Sequence, residues 1–291
     1  MVVLTQENPA LTPEPEALVG RVTEFVRVAD TVRRPATESS VSVRRLLTHL
    51  VHTGFDGAPR FLSTEPDGSI VLSWIEGWVP ADTECWRLGR GELASVGELL
   101  RSYHDCVAGF PPETGFEEGP QAVAASQVVC HGDIAPRNTV FRDGRATAFI
   151  DWDGIFVSTP MWDLAHAVWQ FAPVCDNADP WLGGWPSPSD RSARIAALVG
   201  GYRLSADRAD ELADMVAGVI AGITGSVVRK IAAGIPAFVQ LEREGVLEAL
   251  DSQHRAAEQL HSLIAQAVVA DPASAESTHL AVPEVSNPAK T

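Results

Sequence analysis

The chain has 291 residues, 45% of them hydrophobic and 21% charged, and carries a formal net charge of −16 at pH 7. That length can bury a substantial core as one large domain or two lobes, and the composition is ordinary for a soluble globular protein. So acidic a balance argues against nonspecific binding to nucleic acid or to an anionic membrane, and it suits a cationic small molecule better than an anionic surface.

Residues 1–15 contain proline and glutamate without apolar periodicity and read as a flexible N-terminus. Residues 16–77 read as a small lobe. Arg21-Val22-Thr23, Phe25 to Val28 and Thr31 to Arg34 are short Val-rich runs separated by turn residues, which predicts a small antiparallel sheet. Ser42 to Val51 places Val43, Leu46, Leu47 and Leu50 at helical spacing, with Gly54 just beyond as a stop signal. Ser69 to Ile75 is a further strand that ends at Glu76-Gly77.

Residues 78–270 read as a larger and mostly helical lobe. Glu92 to Val107 carries Leu93, Val96, Leu99, Leu100 and Tyr103 on one face. Asp163 to Phe171, Arg191 to Leu198, Asp207 to Ala233 and Leu247 to Val269 are predicted helices. The longest apolar run, Met215 to Val228, is short for a bilayer and interrupted by glycine, so it reads as a buried core helix. Residues 271–291 mix Pro, Ala, Ser and Glu and read as a disordered tail. Cys85, Cys106, Cys130 and Cys175 form no C-x-x-C pair and no secretory signal precedes them, which predicts reduced thiols and a cytoplasmic protein.

Between these helices lies the most informative stretch, His131-Gly132-Asp133-Ile134-Ala135-Pro136-Arg137-Asn138, followed by Ile150-Asp151-Trp152-Asp153. The H-x-D-x-x-x-x-N spacing is that of a kinase catalytic loop, with Gly132 where arginine is usual. Phosphoryl transfer needs one carboxylate to orient or deprotonate the acceptor hydroxyl, and an amide oxygen and a second carboxylate to hold Mg²⁺ on the phosphates. Gln127 to Cys130 and Thr147 to Ile150 are β-prone, and Asp143-Gly144 between them signals a tight hairpin turn. Such a hairpin brings Asn138 and Asp151 side by side, where two oxygen ligands can share one hard cation. The competing reading takes His131, Asp133, Asp151 and Asp153 as the ligands of a metal-dependent phosphohydrolase.

The His131 to Asn138 run, the Ile150-Asp151-Trp152-Asp153 run and Trp162-Asp163-Leu164-Ala165 together resemble the aminoglycoside phosphotransferase family, from about Gly20 to Val269. The resemblance implies an α+β, bilobal protein-kinase-like fold and a Mg-ATP-dependent phosphotransferase acting on a hydroxyl of a small molecule. It implies Asp133 as catalytic base, Asn138 and Asp151 as Mg²⁺ ligands, Asp153 as an aid to the metal or to water, and Asp163 and His131 as supports of the loop. It also places adenine against the hinge backbone at Trp74, Ile75 and Glu76. ATP and GTP are both open as donors, because Gly20 stands alone without a glycine-rich phosphate motif.

The donor side departs from the family pattern. Val32-Arg33-Arg34-Pro35 offers no lysine for the phosphates, and the following helix contains Arg44 and Arg45 but no glutamate. Arg33 is expected to face the phosphates, with strand alternation sending Arg34 the other way. The acceptor is expected near Asp176, Asp179, Trp181 and Trp185, since aromatic faces and carboxylates suit sugars and ammonium groups. Trp162 and Trp169, at helical spacing, are expected in the core. The missing Lys–Glu pair leaves a second reading, a kinase-derived nucleotide-binding or regulatory protein. The sequence does not indicate oligomeric state.

Overall fold

The computed structural model describes residues 16–19, 24–111, 116, 127–172 and 189–269. The N-terminal part is a five-stranded antiparallel sheet: β1 (Glu16–Val19), β2 (Glu24–Val28), β3 (Thr31–Arg34), β4 (Phe61–Thr64) and β5 (Ile70–Ser73), in the order β1-β2-β3-β5-β4. Between β3 and β4 runs α1 (Ser40–His52). Its Val43, Leu46, Leu47 and Leu50, spaced three and four apart, are buried, so a single apolar stripe docks the helix while Val41 and Val51 stay outside. β5 is buried along Ile70, Val71 and Leu72, as expected of a strand flanked by β3 and β4.

The chain then crosses to the second lobe through Trp74 to Trp78. Trp78 and Phe141 exchange backbone hydrogen bonds of 2.8 and 2.7 Å, which fixes the crossing to the hairpin that carries Phe141. Gly77 sits at φ 154°, and a Cβ there would lie 2.4 Å from Val140 Cγ1 and 2.7 Å from the Phe141 carbonyl. Only glycine lets the connector pass so close.

The second lobe begins with α2 (Arg90–Val107). β6 (Val128–Cys130) pairs antiparallel with β9 (Phe156–Ser158), and between them β7 (Thr139–Arg142) and β8 (Arg145–Phe149) form the hairpin closed by Asp143-Gly144. The helices α3 (Pro160–Phe171), α4 (Ser189–Tyr202), α5 (Ala209–Ala232), α6 (Pro236–Arg243), α7 (Val246–Gln259) and α8 (His261–Val269) follow. The helical run over Leu247 to Val269 is interrupted at Leu260, α6 and the short strands β1, β4 and β9 were not anticipated, and the Arg21-Val22-Thr23 run lies outside the described residues. Trp162 and Trp169 are core residues, 1% and 5% exposed. α5 is long and apolar enough to cross a bilayer, yet it lies against α3, α7 and α8, burying Leu212, Val216, Val219 and Ile220.

The tightest helix contact is between α2 and α4 and is made by glycine on both sides. A Cβ on Gly97 would stand 2.0 Å from the Leu198 carbonyl, and one on Gly201 would stand 1.9 Å from the Ala94 carbonyl. Helix propensity alone predicts that Gly→Ala stabilises an interior helix by roughly 0.5–1 kcal/mol. Here backbone stands in the way, and overpacking costs about 1–3 kcal/mol. Gly97→Ala and Gly201→Ala are therefore expected to lower stability in chemical denaturation, the opposite sign to propensity.

Candidate active site

β6 delivers the chain directly into the loop His131–Asn138, and α3 anchors that loop from behind. The Asp163 carboxylate, fully buried, accepts the His131 N–H at 2.8 Å on Oδ2 and the Gly132 N–H at 2.9 Å on Oδ1. His104 of α2 stands 3.3 Å from Oδ2 and is itself joined to the Tyr202 hydroxyl at 2.8 Å. Burial pushes the Asp163 carboxyl up, but the His104 hydrogen bond and charge and the Gly132 amide outweigh it and hold the group below the usual carboxylate range. Gly132 takes φ 82°, and a Cβ there would meet the Gly154 carbonyl at 2.3 Å. That contact explains glycine at a position where kinases carry arginine.

The His131 ring is used up by the scaffold. The Asp133 N–H donates to Nδ1 at 3.3 Å, which leaves Nε2 as the donor to the Ile150 carbonyl at 3.0 Å. Burial, only partly offset by Asp163 and Asp133, holds its pKa below the ordinary histidine value, consistent with that neutral tautomer. With both nitrogens bonded, His131 cannot ligate a cation. Among the described residues no group of three or more His, Cys, Asp and Glu is placed to hold a metal, and His131 is not one of the ligands the phosphohydrolase reading required.

Asp133 is one-third exposed and ringed by donors. Asn138 Nδ2 lies 2.8 Å from its Oδ2 and 2.9 Å from its backbone carbonyl, and Arg137 Nη2 lies 2.5 Å from its Oδ1. His166 Nε2 approaches Oδ1 at 3.6 Å, too long for a hydrogen bond, while its Nδ1 meets the Ile134 carbonyl at 3.1 Å. Desolvation pushes the Asp133 carboxyl up, but the charge and hydrogen bond of the Arg137 guanidinium hold it below the usual range. It is an anion at neutral pH, poised to accept a hydrogen bond or a proton.

Because the Asn138 amide nitrogen is committed to Asp133, its Oδ1 is left to face elsewhere. The Asn138 carbonyl accepts the Ile150 N–H at 2.9 Å, so the hairpin sets Asp151 beside Asn138 as the spacing implied. Asp151 adopts left-handed φ 63°, ψ 63°, a conformation aspartate tolerates, and opens the turn Trp152–Gly154. An amide oxygen with the carboxylates of Asp151 and Asp153 is an all-oxygen donor set, which suits Mg²⁺.

The donor side corrects the sequence reading. Arg33 does not face this cluster; it is 47% exposed and pairs with Glu65 at 3.5 Å. Arg34, buried, reaches Asp151 Oδ1 at 3.4 Å and makes a closer pair with Asp153 Oδ2. Alternation rightly put the two arginines on opposite faces, but which face meets the second lobe depends on how the sheet sits, and alternation does not encode that. Burial lowers the Arg34 pKa somewhat against the pull of Asp151, and a guanidinium remains charged regardless.

At the hinge, the Trp74 N–H binds the Asp30 carbonyl at 2.8 Å, Arg27 stacks 4.0 Å over the Trp74 ring, and Arg27 pairs with Glu76 at 2.9 Å. Among the described residues the Ile75 and Glu76 backbone makes no hydrogen bond to other backbone groups. Asp176, Asp179, Trp181 and Trp185 lie outside the described residues. The sequence reading missed Arg34, Arg137, His104 and Gln170 as neighbours of the site. Of these, Arg137 carried a signal, since it stands four residues after Asp133 inside the motif itself.

Comparison with known proteins identifies the family and the fold. The profile of the phosphotransferase enzyme family matches residues 49–212, from within α1 to the start of α5. The trifolitoxin immunity protein of Rhizobium leguminosarum bv. trifolii is 31% identical over 192 residues, covering 64% of this chain and 72% of that protein. Among solved structures, a choline/ethanolamine kinase family protein from Mesorhizobium loti superposes with TM-score 0.58 at 16% identity, over 88% of this chain and 92% of that one. The GDP complex of aminoglycoside 2'-phosphotransferase-IIIa gives TM-score 0.62 at 14% identity, over 85% and 94%. The architecture is thus the kinase-like α+β fold, a small antiparallel sheet with a mostly helical remainder. The match spans the loop, the hairpin and the Asp163 anchor but starts beyond Arg34, and on that evidence the chain belongs to the phosphotransferase enzyme family.

Proposed function

We propose that the protein transfers the γ-phosphoryl group of Mg-ATP, or of the GTP analogue of that complex, to a hydroxyl of a small molecule. The observation that carries this reading is the Asp133 carboxylate held by the Asn138 amide, with Asp151 set beside Asn138 by the hairpin. Asn138 Oδ1 and Asp151 would hold Mg²⁺, which when bound neutralises phosphate charge and aligns the transferred group. Asp133 orients the acceptor hydroxyl and takes its proton as the new O–P bond forms. The bond from the γ-phosphorus to the bridging oxygen breaks, and the nucleoside diphosphate leaves with that electron pair.

Arg34 supplies the cation that a strand lysine provides in other kinase-like sites. The lysines of this chain are Lys230 and Lys290, so no lysine precedes the hinge. The missing helix glutamate has a substitute as well: Asp153 holds Arg34 from the second lobe. With a nucleotide bound, Asp153 would keep Arg34 in register for the phosphates, and Asp151 would be the carboxylate that holds the metal.

The pairing of Arg34 with Asp151 is also what a regulatory descendant with a closed donor site would show. The similarity to a trifolitoxin immunity protein adds toxins to hydroxylated metabolites in the acceptor search. The two readings separate in one titration. Nucleotide consumption should depend on both Mg²⁺ and an added hydroxyl compound, and Asn138→Ala should raise the Mg²⁺ concentration needed. Nucleotide binding without turnover under any acceptor would favour the regulatory protein.

A further inference from the structure

A cavity of about 400 Å³ opens between the C-terminal ends of α2 and α4 and the first residue of α3. None of Arg34, Asp133, Asn138 or Asp151 lines it, so it lies apart from the site described above. Tyr202 and His104 belong to its lining, and they join it to the catalytic loop through the Tyr202–His104–Asp163 hydrogen bonds.

Three arginines line the cavity, Arg101, Arg203 and Arg208, against one carboxylate, Asp105. In a chain of net charge −16 that reverses the sign locally. Arg101 pairs with Asp105 at 2.9 Å, and Arg208 pairs with Glu211, outside the lining, at 2.7 Å. Every side chain in these two pairs is at least 42% exposed, and exposed pairs within one helical turn are weak enough to be shared with a ligand. Arg203 is exposed, and among the described residues its guanidinium has no hydrogen-bond or ion-pair partner.

The Arg203 backbone is strained. It follows α4 at φ 61°, with its N–H on the Gly200 carbonyl at 3.0 Å and the Leu204 N–H on the Val199 carbonyl at 3.1 Å. This is the left-handed helix ending at which glycine is the usual residue. An arginine there costs conformational energy, and no described contact of its side chain offsets that cost. Val128, Pro160 and Leu204 add an apolar wall. A bare ion would leave that wall and most of the 400 Å³ unused, whereas an organic body fills them.

We propose that this cavity is a second binding site whose ligand is a small phosphate monoester. The phosphate, with up to two charges and three terminal oxygens, suits several guanidinium forks better than a single carboxylate does. The organic part lies against the apolar wall. The site stands whether or not the chain transfers phosphoryl groups.

Calorimetry on the full chain, without nucleotide or Mg²⁺, compares glucose 6-phosphate with glucose, glycerol 3-phosphate with glycerol, and both monoesters with inorganic phosphate. Wild type should bind at least one monoester roughly tenfold or more tightly than its parent alcohol and than inorganic phosphate. Arg203→Gly should weaken that binding by about tenfold, yet melt at or above the wild-type temperature because glycine accepts the left-handed conformation. A residue kept for packing would show the reverse. Arg203→Lys should retain part of the affinity. Arg34→Ala should leave it unchanged, which separates this cavity from phosphate held at the proposed active site. The proposal is overturned if no monoester binds, if inorganic phosphate binds as tightly as the monoesters, or if the affinity survives Arg203→Gly and is lost in Arg34→Ala.

Discussion

Asp133→Asn should lower turnover by roughly 10²- to 10⁴-fold, the range a positioned general base contributes, while nucleotide binding stays within a few-fold of wild type. The substitution keeps shape and an oxygen for the Asn138 amide, which donates at 2.8 Å to Oδ2. What it removes is the ability to take a proton and the anion that Arg137 and His166 face. The donor contacts at Arg34, Asp151 and the hinge are on other elements and should be unaffected. Steady-state kinetics with nucleotide-binding calorimetry on the same samples checks this, and full turnover in the variant would remove Asp133 from the chemistry.

The second large effect is expected at Arg34. Arg34→Ala should cut kcat/KM for the nucleotide by about 10²–10³-fold, the scale of losing one preorganised charge-stabilising donor. It also leaves Asp151 and Asp153 facing each other without the cation between them. Arg34→Lys should restore part of the loss, since a point charge replaces the charge but not the fork that spans Asp151 and Asp153. Arg33→Ala is the internal control: its exposed pairing with Glu65 contributes at most about 1 kcal/mol, and activity should hold. Equal losses from Arg33→Ala and Arg34→Ala would mean that the strand, not the guanidinium, is what matters.

That contrast also marks where the sequence stopped being legible. The loop His131 to Asn138, the Asp143-Gly144 hairpin and the apolar stripes of α1 and α2 could be read because the information is local: turn chemistry, period and motif spacing. The bracing of the loop by Asp163 was implied only by the family resemblance, and the left-handed Asp151 was not anticipated. The choice between Arg33 and Arg34 was not local, because it depends on how one face of β3 meets a loop more than a hundred residues away. β9 escaped notice for a similar reason. Phe156–Ser158 is three residues long and is a strand only because β6 stands beside it. Gly97 and Gly201 carried no mark in the sequence, and only their backbone partners across the α2–α4 contact show them to be the reason the helices can touch.

Arg137 shows the opposite case, a residue inside the recognised motif whose side chain was passed over because the motif leaves that position open. Its distance to Asp133, not its identity, is what gives it a part in the site.

The central claim is that these residues move a phosphoryl group from a nucleotide to a hydroxyl. ³¹P NMR of Mg-ATP with a panel of hydroxyl compounds, run in parallel for wild type and Asp133→Asn, tests it directly. Wild type should deplete the γ-resonance and build a phosphomonoester resonance on the acceptor, with the diphosphate appearing in equal amount, and Asp133→Asn should show neither change. An unchanged γ-resonance across the panel, or inorganic phosphate as the sole product in both proteins, would contradict the account.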